Sequence, residues 1–297
     1  MSTVHQGSRY SWGADEHLVV QVAEAMSLEA NFTVMAIALA LGRRGLEGVV
    51  DICPANASFL VRFDPDRIAP QDLLDVVQEV EREVGDSAAM TLRTRIVEVP
   101  VWYDDPFTNE TGARFRDRHQ RPQGNDLDFA AEENGMTSAA QFIEAHSGSP
   151  WITSMVGFVA GLPFLFQMVP RERQLEVPKY LRPRTDTPAL TVGHGGCFAC
   201  IYSVRGAGGY QMFGVTPVPI FDPAQRLADF SEFMVFFRPG DIVTFRAIDE
   251  AEYESIRRQV DDGTYRYRQA DVDFALADFL QGPDAYNARL LEALDGR

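Results

Sequence analysis

The residues of this chain whose types and spacing could do chemistry crowd between Ala145 and Gly209. His146, in Ala-His-Ser-Gly-Ser-Pro, ends a predicted short helix. A histidine there either caps the helix dipole or serves as a base or hydrogen-bond donor near neutral pH. Arg182, Arg184 and Arg205 sit in or beside loops rich in Pro and Gly. Their guanidinium forks suit carboxylate or carbonate-like ligands, and equally suit ion pairs with the many carboxylates of the chain. The pairs Gly195-Gly196 and Gly208-Gly209 are either tight turns or places where backbone N–H groups stabilise a developing oxyanion. Cys197-x-x-Cys200, with His194 nearby, has zinc or redox spacing but neither a second ligand pair nor a helix start behind the first cysteine. Residues three apart on a strand point to opposite faces, so two ordinary strand cysteines and no metal are expected. Gly-x-Ser-x-Gly is absent, and Ser147 and Ser203 have no evident base.

What the sequence lacks is equally informative. Lys179 is the only lysine among 297 residues and sits in Pro-Lys-Tyr. There is therefore no Walker loop, and no lysine in the hairpin setting that biotin or lipoate attachment needs. An ATP step or a swinging carrier arm is expected on another chain. The 27 Lys and Arg against 43 Asp and Glu leave a net charge of −16. That charge, with no basic stripe to reverse it, disfavours nucleic acid. The start lacks a basic n-region and an apolar h-region, and the longest apolar run, Val34–Leu41, is far short of a membrane span. A reduced, cytoplasmic location is expected, with no membrane association.

These residues need a scaffold, and the pattern predicts an α+β unit followed by a β unit. Residues 9–101 read as strand, helix, strand, strand, helix, strand. His17–Val22 is the first long strand; Ser27 caps a helix ending at Gly42; Val49–Cys53 and Ser58–Phe63 form a hairpin. Pro70 opens a second helix, and Leu92–Val101 closes the pattern. This is a ferredoxin-like split β-α-β arrangement over 1–100. Residues 104–126 are polar and aperiodic and read as a long loop, followed by short helices at Asp126–Asn134 and Ser138–His146, the second capped by Thr137. From Trp151 to Asp222, short β-branched and aromatic runs are cut by Gly and Pro every few residues. Met155–Phe158, Phe198–Tyr202, Tyr210–Phe213 and Val218–Phe221 read as strands of a β-barrel within 101–248, closed by Ile242–Ile248. The tail, 249–297, reads as helical, with Tyr253, Ile256 and Val260 on one face and a further helix near Asn287–Leu294.

Several strings carry a family resemblance. Gly157-Phe158 through Gly161-Leu162-Pro163-Phe164-Leu165, Pro183-Arg184-Thr185, Gly208-Gly209-Tyr210-Gln211 and Arg238-Pro239-Gly240-Asp241 resemble the family of KipI, the B subunit of 5-oxoprolinase and the first subunit of allophanate hydrolase. The run from Val101 to Glu110, Pro178-Lys179-Tyr180 and Gly209–Gly214 are similar to the first half of the carboxyltransferase region of biotin-dependent urea carboxylase. The resemblance runs from about Arg9 to the C-terminal helices. It departs at Ser203, at Gly206-Ala207 and at Ala160, where simpler members carry Pro or Ser-Pro.

The resemblance implies a ferredoxin-like domain before a cyclophilin-like β-barrel. It implies transfer of CO₂ from carboxybiotin to an amide- or urea-type nitrogen, with a second-half chain completing the site. Biotin and ATP would act through partner chains, among them a biotin carboxylase and a biotin carrier protein, with none bound covalently here. The alternatives are a component of an ATP-dependent 5-oxoprolinase and a KipI-like histidine-kinase inhibitor. The site residues expected from these readings together are His146, Tyr210 and Gln211 for catalysis, and Arg184, Arg205, Gly195, Gly196, Gly208 and Gly209 for substrate.

Overall fold

The computed structural model describes residues 7–85 and 90–296. The chain divides into two compact units. The first runs to Leu92 and takes back Phe274–Gln281; the second is Arg93–Asp273 with the remainder of the tail. The tail beyond 249 is thus shared between the units rather than forming a separate extension.

In the first unit, β1 (Arg9–Gly13), β2 (His17–Gln21), α1 (Leu28–Arg44), β3 (Val49–Pro54), β4 (Ser58–Phe63) and α2 (Pro70–Val84) follow in order. The Ser27 hydroxyl accepts the Ala30 N–H at 3.1 Å and starts α1. The helix outruns Gly42 and ends at Gly45, whose φ of 57° is the left-handed conformation that glycine adopts without a Cβ penalty. Pro70 occupies the first turn of α2, as expected. Leu18, Val20, Phe59, Val61 and Phe63 from alternate strand positions meet Val34, Ile37 and Leu41 of α1 and Leu73, Val77 and Val80 of α2 in one core.

The fourth strand of this sheet is not the expected one. Its order is β1-β2-β4-β3, and the strand after α2 does not join it. β1 takes the edge instead, pairing antiparallel with β2 from Arg9↔Gln21 to Gly13↔His17. The β1–β2 hairpin is a local closure, which costs somewhat less loop entropy than a return across α2. The strand expected to complete the sheet, β5 (Thr91–Tyr103), carries the buried run Ile96, Val97, Val99 and Val101 and is used in the second unit.

There β5 is followed by α3 (Pro106–Arg114), α4 (Asp126–Glu133), α5 (Ala139–Ser147), β6 (Trp151–Val156), β7 (Pro163–Gln167), β8 (Arg184–Thr187), β9 (Thr191–Gly195) and β10 (Phe198–Ile201). β11 (Gly206–Gly208), β12 (Gln211–Val215), β13 (Ile242–Ala247), α6 (Glu250–Asp261) and β14 (Gln269–Ala275) come next. α7 (Leu276–Gln281) belongs to the first unit, and α8 (Pro283–Leu294) ends the second. The sheet order is β12-β9-β10-β7-β6-β13-β5-β14, and an extra β12–β5 pairing closes seven of these strands into a barrel. The long loop expected at 104–126 contains α3. Asp105 accepts the N–H groups of Phe107 and Thr108, both at 2.9 Å, and Pro106 fills the first helical position. Ser138 rather than Thr137 caps α5. Val218–Phe221 is not a strand; only Phe221 makes an isolated bridge, to Val235. Phe158 falls in a turn with φ 69°, beyond the end of β6. No helix among the described residues is long and apolar enough to cross a membrane.

Barrel closure passes through Gly214, paired with Tyr103 of β5. A Cβ at 214 would lie 2.5 Å from the Trp102 carbonyl oxygen and 2.9 Å from the Tyr103 Cα, both backbone atoms that cannot swing away. Gly214→Ala is expected to lower the unfolding free energy of the second unit by about 1–3 kcal/mol, the usual range for overpacking. Urea unfolding followed by tryptophan fluorescence reads this, and an unchanged midpoint would show that the seam is loose.

Candidate functional site

A pocket of about 390 Å³ opens on the second unit. Its walls are Phe158, Leu162, Phe164, Tyr202 and Tyr210, with Lys179 and Gly208-Gly209 at its rim and Cys200 inside. β10 presents Cys200, the chain just beyond it Tyr202, and Tyr210 immediately precedes β12. Gly208 is the close-approach position. A Cβ there would fall 2.4 Å from the Tyr202 hydroxyl oxygen, so the bare backbone lets that ring lie flat beneath the loop. The same logic applies on β9, where the Tyr210 ring occupies the space of a Gly195 side chain.

Behind the pocket lies a buried polar network anchored on Asp126, in the first turn of α4. Its carboxylate accepts the Tyr180 hydroxyl at 2.9 and 2.8 Å, the Met212 N–H at 2.9 Å and an Arg116 Nη at 3.0 Å. His119 Nε2 lies 3.8 Å from the same carboxylate and 2.9 Å from the Gln211 side-chain oxygen. Burial pushes the His119 pKa down, more than the attraction of Asp126 offsets. The Tyr180 ring in turn carries the Arg184 guanidinium, 4.4 Å above its centre. Arg184 is fully buried, donates to the Tyr210 carbonyl at 2.7 Å and to the Thr187 hydroxyl at 3.2 Å, and leaves Nη2 without a hydrogen-bond partner of good geometry among the described residues.

The residues picked from the sequence therefore separate. Tyr210, Gly208 and Gly209 line the pocket, and Arg184 stands directly behind it. Gln211, the neighbour of Tyr210, points the opposite way, as strand alternation requires, and its amide braces the Pro178 carbonyl at 2.8 Å. Arg205 is exposed and forks onto Asp186, at 2.6 and 2.8 Å, so it is an ion-pair arginine. The Gly196 N–H is already given to the Val177 carbonyl at 2.7 Å and is not available to an oxyanion.

His146 is sealed in the barrel core, its Nδ1 2.8 Å from the Tyr103 hydroxyl and its ring stacked on Phe245 at 4.8 Å. Burial and the neighbouring His194 hold its pKa well below the usual value. The cysteines of the Cys-x-x-Cys part company: Cys200 faces the pocket while Cys197 sits half-buried in the turn between β9 and β10, and both thiols are pushed up by burial. No cluster able to hold a metal occurs among the described residues.

Sequence reasoning missed Asp126, Arg116, His119, Tyr180 and Tyr202. The first three fall in or beside the stretch read as a loop, where Asn125-Asp126 looks like an ordinary helix start. Only the fold turns Asp126 inward. Lys179, part of the Pro178-Lys179-Tyr180 string but given no site role from the sequence, has its Nζ over the Tyr210 ring, 5.1 Å from its centre.

Residues 8–230 match the family model described as carboxyltransferase domain, subdomain C and D, and the chain belongs to that family. It is 27% identical to the B subunit of 5-oxoprolinase from Bacillus subtilis, over 82% of this chain and 95% of that protein. It is 26% identical to urea amidolyase of Lachancea kluyveri over 92% of this chain, but spans only 15% of that much longer protein. The Kluyveromyces lactis urea carboxylase structure superposes with a TM-score of 0.82 over 96% of this chain and 26% of that one, at 23% identity, which establishes a shared fold. These relatives, a subunit of 5-oxoprolinase and a region of the larger urea amidolyase, are components of enzymes.

His194 supplies a pH test of this architecture. Its Nε2 faces the Leu175 and Gly196 carbonyls, both at 3.1 Å, and burial lowers its pKa from 6.5 to about 4. The unfolded chain thus takes up a proton near pH 6.5 that the folded barrel refuses until about pH 4. The contribution is full above pH 6.5 and is lost as pH falls through that window. The expected result is a urea midpoint for the second unit that drops between pH 7 and 5, and less steeply in His194→Gln. Equal slopes for the two proteins would contradict it.

Proposed function

We propose that this chain is one half of a carboxyltransferase-like enzyme, acting on an amide- or urea-type nitrogen together with a second-half partner chain. The observation that carries this reading is the span of the likeness to urea amidolyase. It covers 92% of the chain and so extends past the family core at 230 into the C-terminal region. The N-terminal and barrel units would correspond to the ferredoxin-like and cyclophilin-like domains of such enzymes. Carboxybiotin, brought by a carrier on a partner chain after an ATP-dependent step elsewhere, would supply the carboxyl group.

The residues of this chain then have definable tasks. Tyr210, with Phe158 and Phe164, walls the substrate pocket and keeps water from a carboxyl group in transit. Gly208-Gly209 brings backbone close to the substrate without side chains in the way. Arg184 fixes the Tyr210 backbone and contributes positive charge from behind the wall. Arg205 and Gln211 belong to the scaffold in this reading, and His146 to the core.

A second reading, component of an ATP-dependent 5-oxoprolinase, is favoured by the 95% coverage of a separate 5-oxoprolinase chain. One reconstitution separates the two. The chain is combined with a second-half homologue, a biotin carboxylase and a biotinylated carrier, and bicarbonate incorporation into urea-type acceptors is measured against ATP-dependent opening of 5-oxoproline. Biotin-dependent incorporation is expected. It should fall at least about tenfold in Tyr210→Ala and less than about threefold in Arg205→Ala. Lactam opening without any biotin requirement would replace the first reading with the second.

A further inference from the structure

The pocket has a chemical character that the reading above does not specify. Its volume, about 390 Å³, lies at the small end of the roughly 300–1,000 Å³ typical of small-molecule sites. Its walls are aromatic rings and glycine backbone, and no carboxylate lines it. In a chain of net charge −16 that absence is unusual. Both nearby cations are uncompensated: neither Lys179 nor Arg184 has a carboxylate in ion-pair range among the described residues. Lys179 stands at the pocket rim, its Nζ 5.1 Å from the centre of the Tyr210 ring, and Arg184 lies behind the same residue, donating to its carbonyl at 2.7 Å. The Tyr202 oxygen accepts the Tyr210 N–H at 3.4 Å, and its own proton has no acceptor among the described residues. A buried hydroxyl left with a donor to spare asks for an acceptor.

We infer that this pocket binds a small organic anion with a flat, apolar body, a planar carboxylate, whose carboxylate accepts the Tyr202 hydroxyl and pairs with Lys179 while its body lies between the aromatic walls. The Arg184 guanidinium, charged and buried behind Tyr202 and Tyr210, stabilises that carboxylate without touching it. Within the reading above, this favours an amide- or urea-type acceptor that itself carries a carboxylate over a neutral solute with none, whose polar edges would be buried unmatched. The inference rests on the placement of the substrate pocket in this barrel, but its test needs neither a partner chain nor a carboxyl donor, so a failed binding experiment and a failed transfer assay are separate results.

The test is isothermal titration of the full chain with benzoate and with benzamide, its neutral isostere. Benzoate is expected to bind one site per chain, with benzamide at least about tenfold weaker. Lys179→Met, a change at an exposed position, and Tyr202→Phe, which keeps the ring over Gly208, should each weaken benzoate by about tenfold. Neither should alter the thermal midpoint by more than a few degrees. Benzoate binding should also weaken as salt is raised, because the Lys179 contact is at the rim. Equal affinity for benzoate and benzamide, undiminished benzoate binding in both folded variants, or no saturable benzoate binding at 10 mM, roughly the weakest affinity such a site would show, overturns the inference.

Discussion

The second unit depends on one buried carboxylate. Asp126 is almost fully shielded from water, and an ion in that position is tolerated only when its lone pairs are met. They are met from three directions: Arg116 beyond α3, the Tyr180 hydroxyl before β8, and the Met212 N–H on β12. Three segments far apart in sequence are thereby held to a single point. The order passes outward through contacts that are individually modest, from the Tyr180 ring to the Arg184 guanidinium and from Arg184 to the Tyr210 carbonyl. Tyr210 is the wall of the pocket. A charge placed at the start of α4 thus fixes a surface on the far side of a strand.

The arrangement also explains why Arg184 is kept in a costly place. A fully buried guanidinium without a carboxylate partner is expensive to maintain unless hydrogen bonds and an aromatic face offset the loss of water. Here two hydrogen bonds and the Tyr180 face do so in part, and one terminal nitrogen remains without a good partner. The positive field that results is directed at a pocket whose lining is otherwise apolar.

Much of the scaffold was legible in the sequence where local rules decide. The Ser27 cap, the Pro70 start, the hairpin built on Phe59, Val61 and Phe63, and the Tyr253-Ile256-Val260 face all depend on spacing within a dozen residues. The failures are non-local. Nothing within β5 says which sheet it joins; pairing with β13, β12 and β14 is decided by strands far along the chain. The Asp105-Pro106 start of α3 was a local signal that went unread among the polar residues around it. At the site, Tyr210, Gly208 and Gly209 line the pocket, and a glycine pair beside an aromatic stands out in a sequence, whereas the Gly196 N–H is spent on Val177. Gln211 shares the motif with Tyr210 but not the face, a distinction that a motif does not spell out. The Asp126 network was invisible, since an inward-facing carboxylate and a solvated one are spelled alike.

The family likeness assigns the chain to carboxyltransferase subdomains that occur in relatives either as a separate chain or within a longer enzyme. The measurement that tests the proposed half-enzyme role most directly is affinity purification of the tagged chain from its native host, with mass spectrometry of the proteins retained. Recovery of a second-half carboxyltransferase homologue together with a biotinylated protein is the result expected. Recovery of a histidine kinase with neither of these would contradict the account and make the chain a regulator.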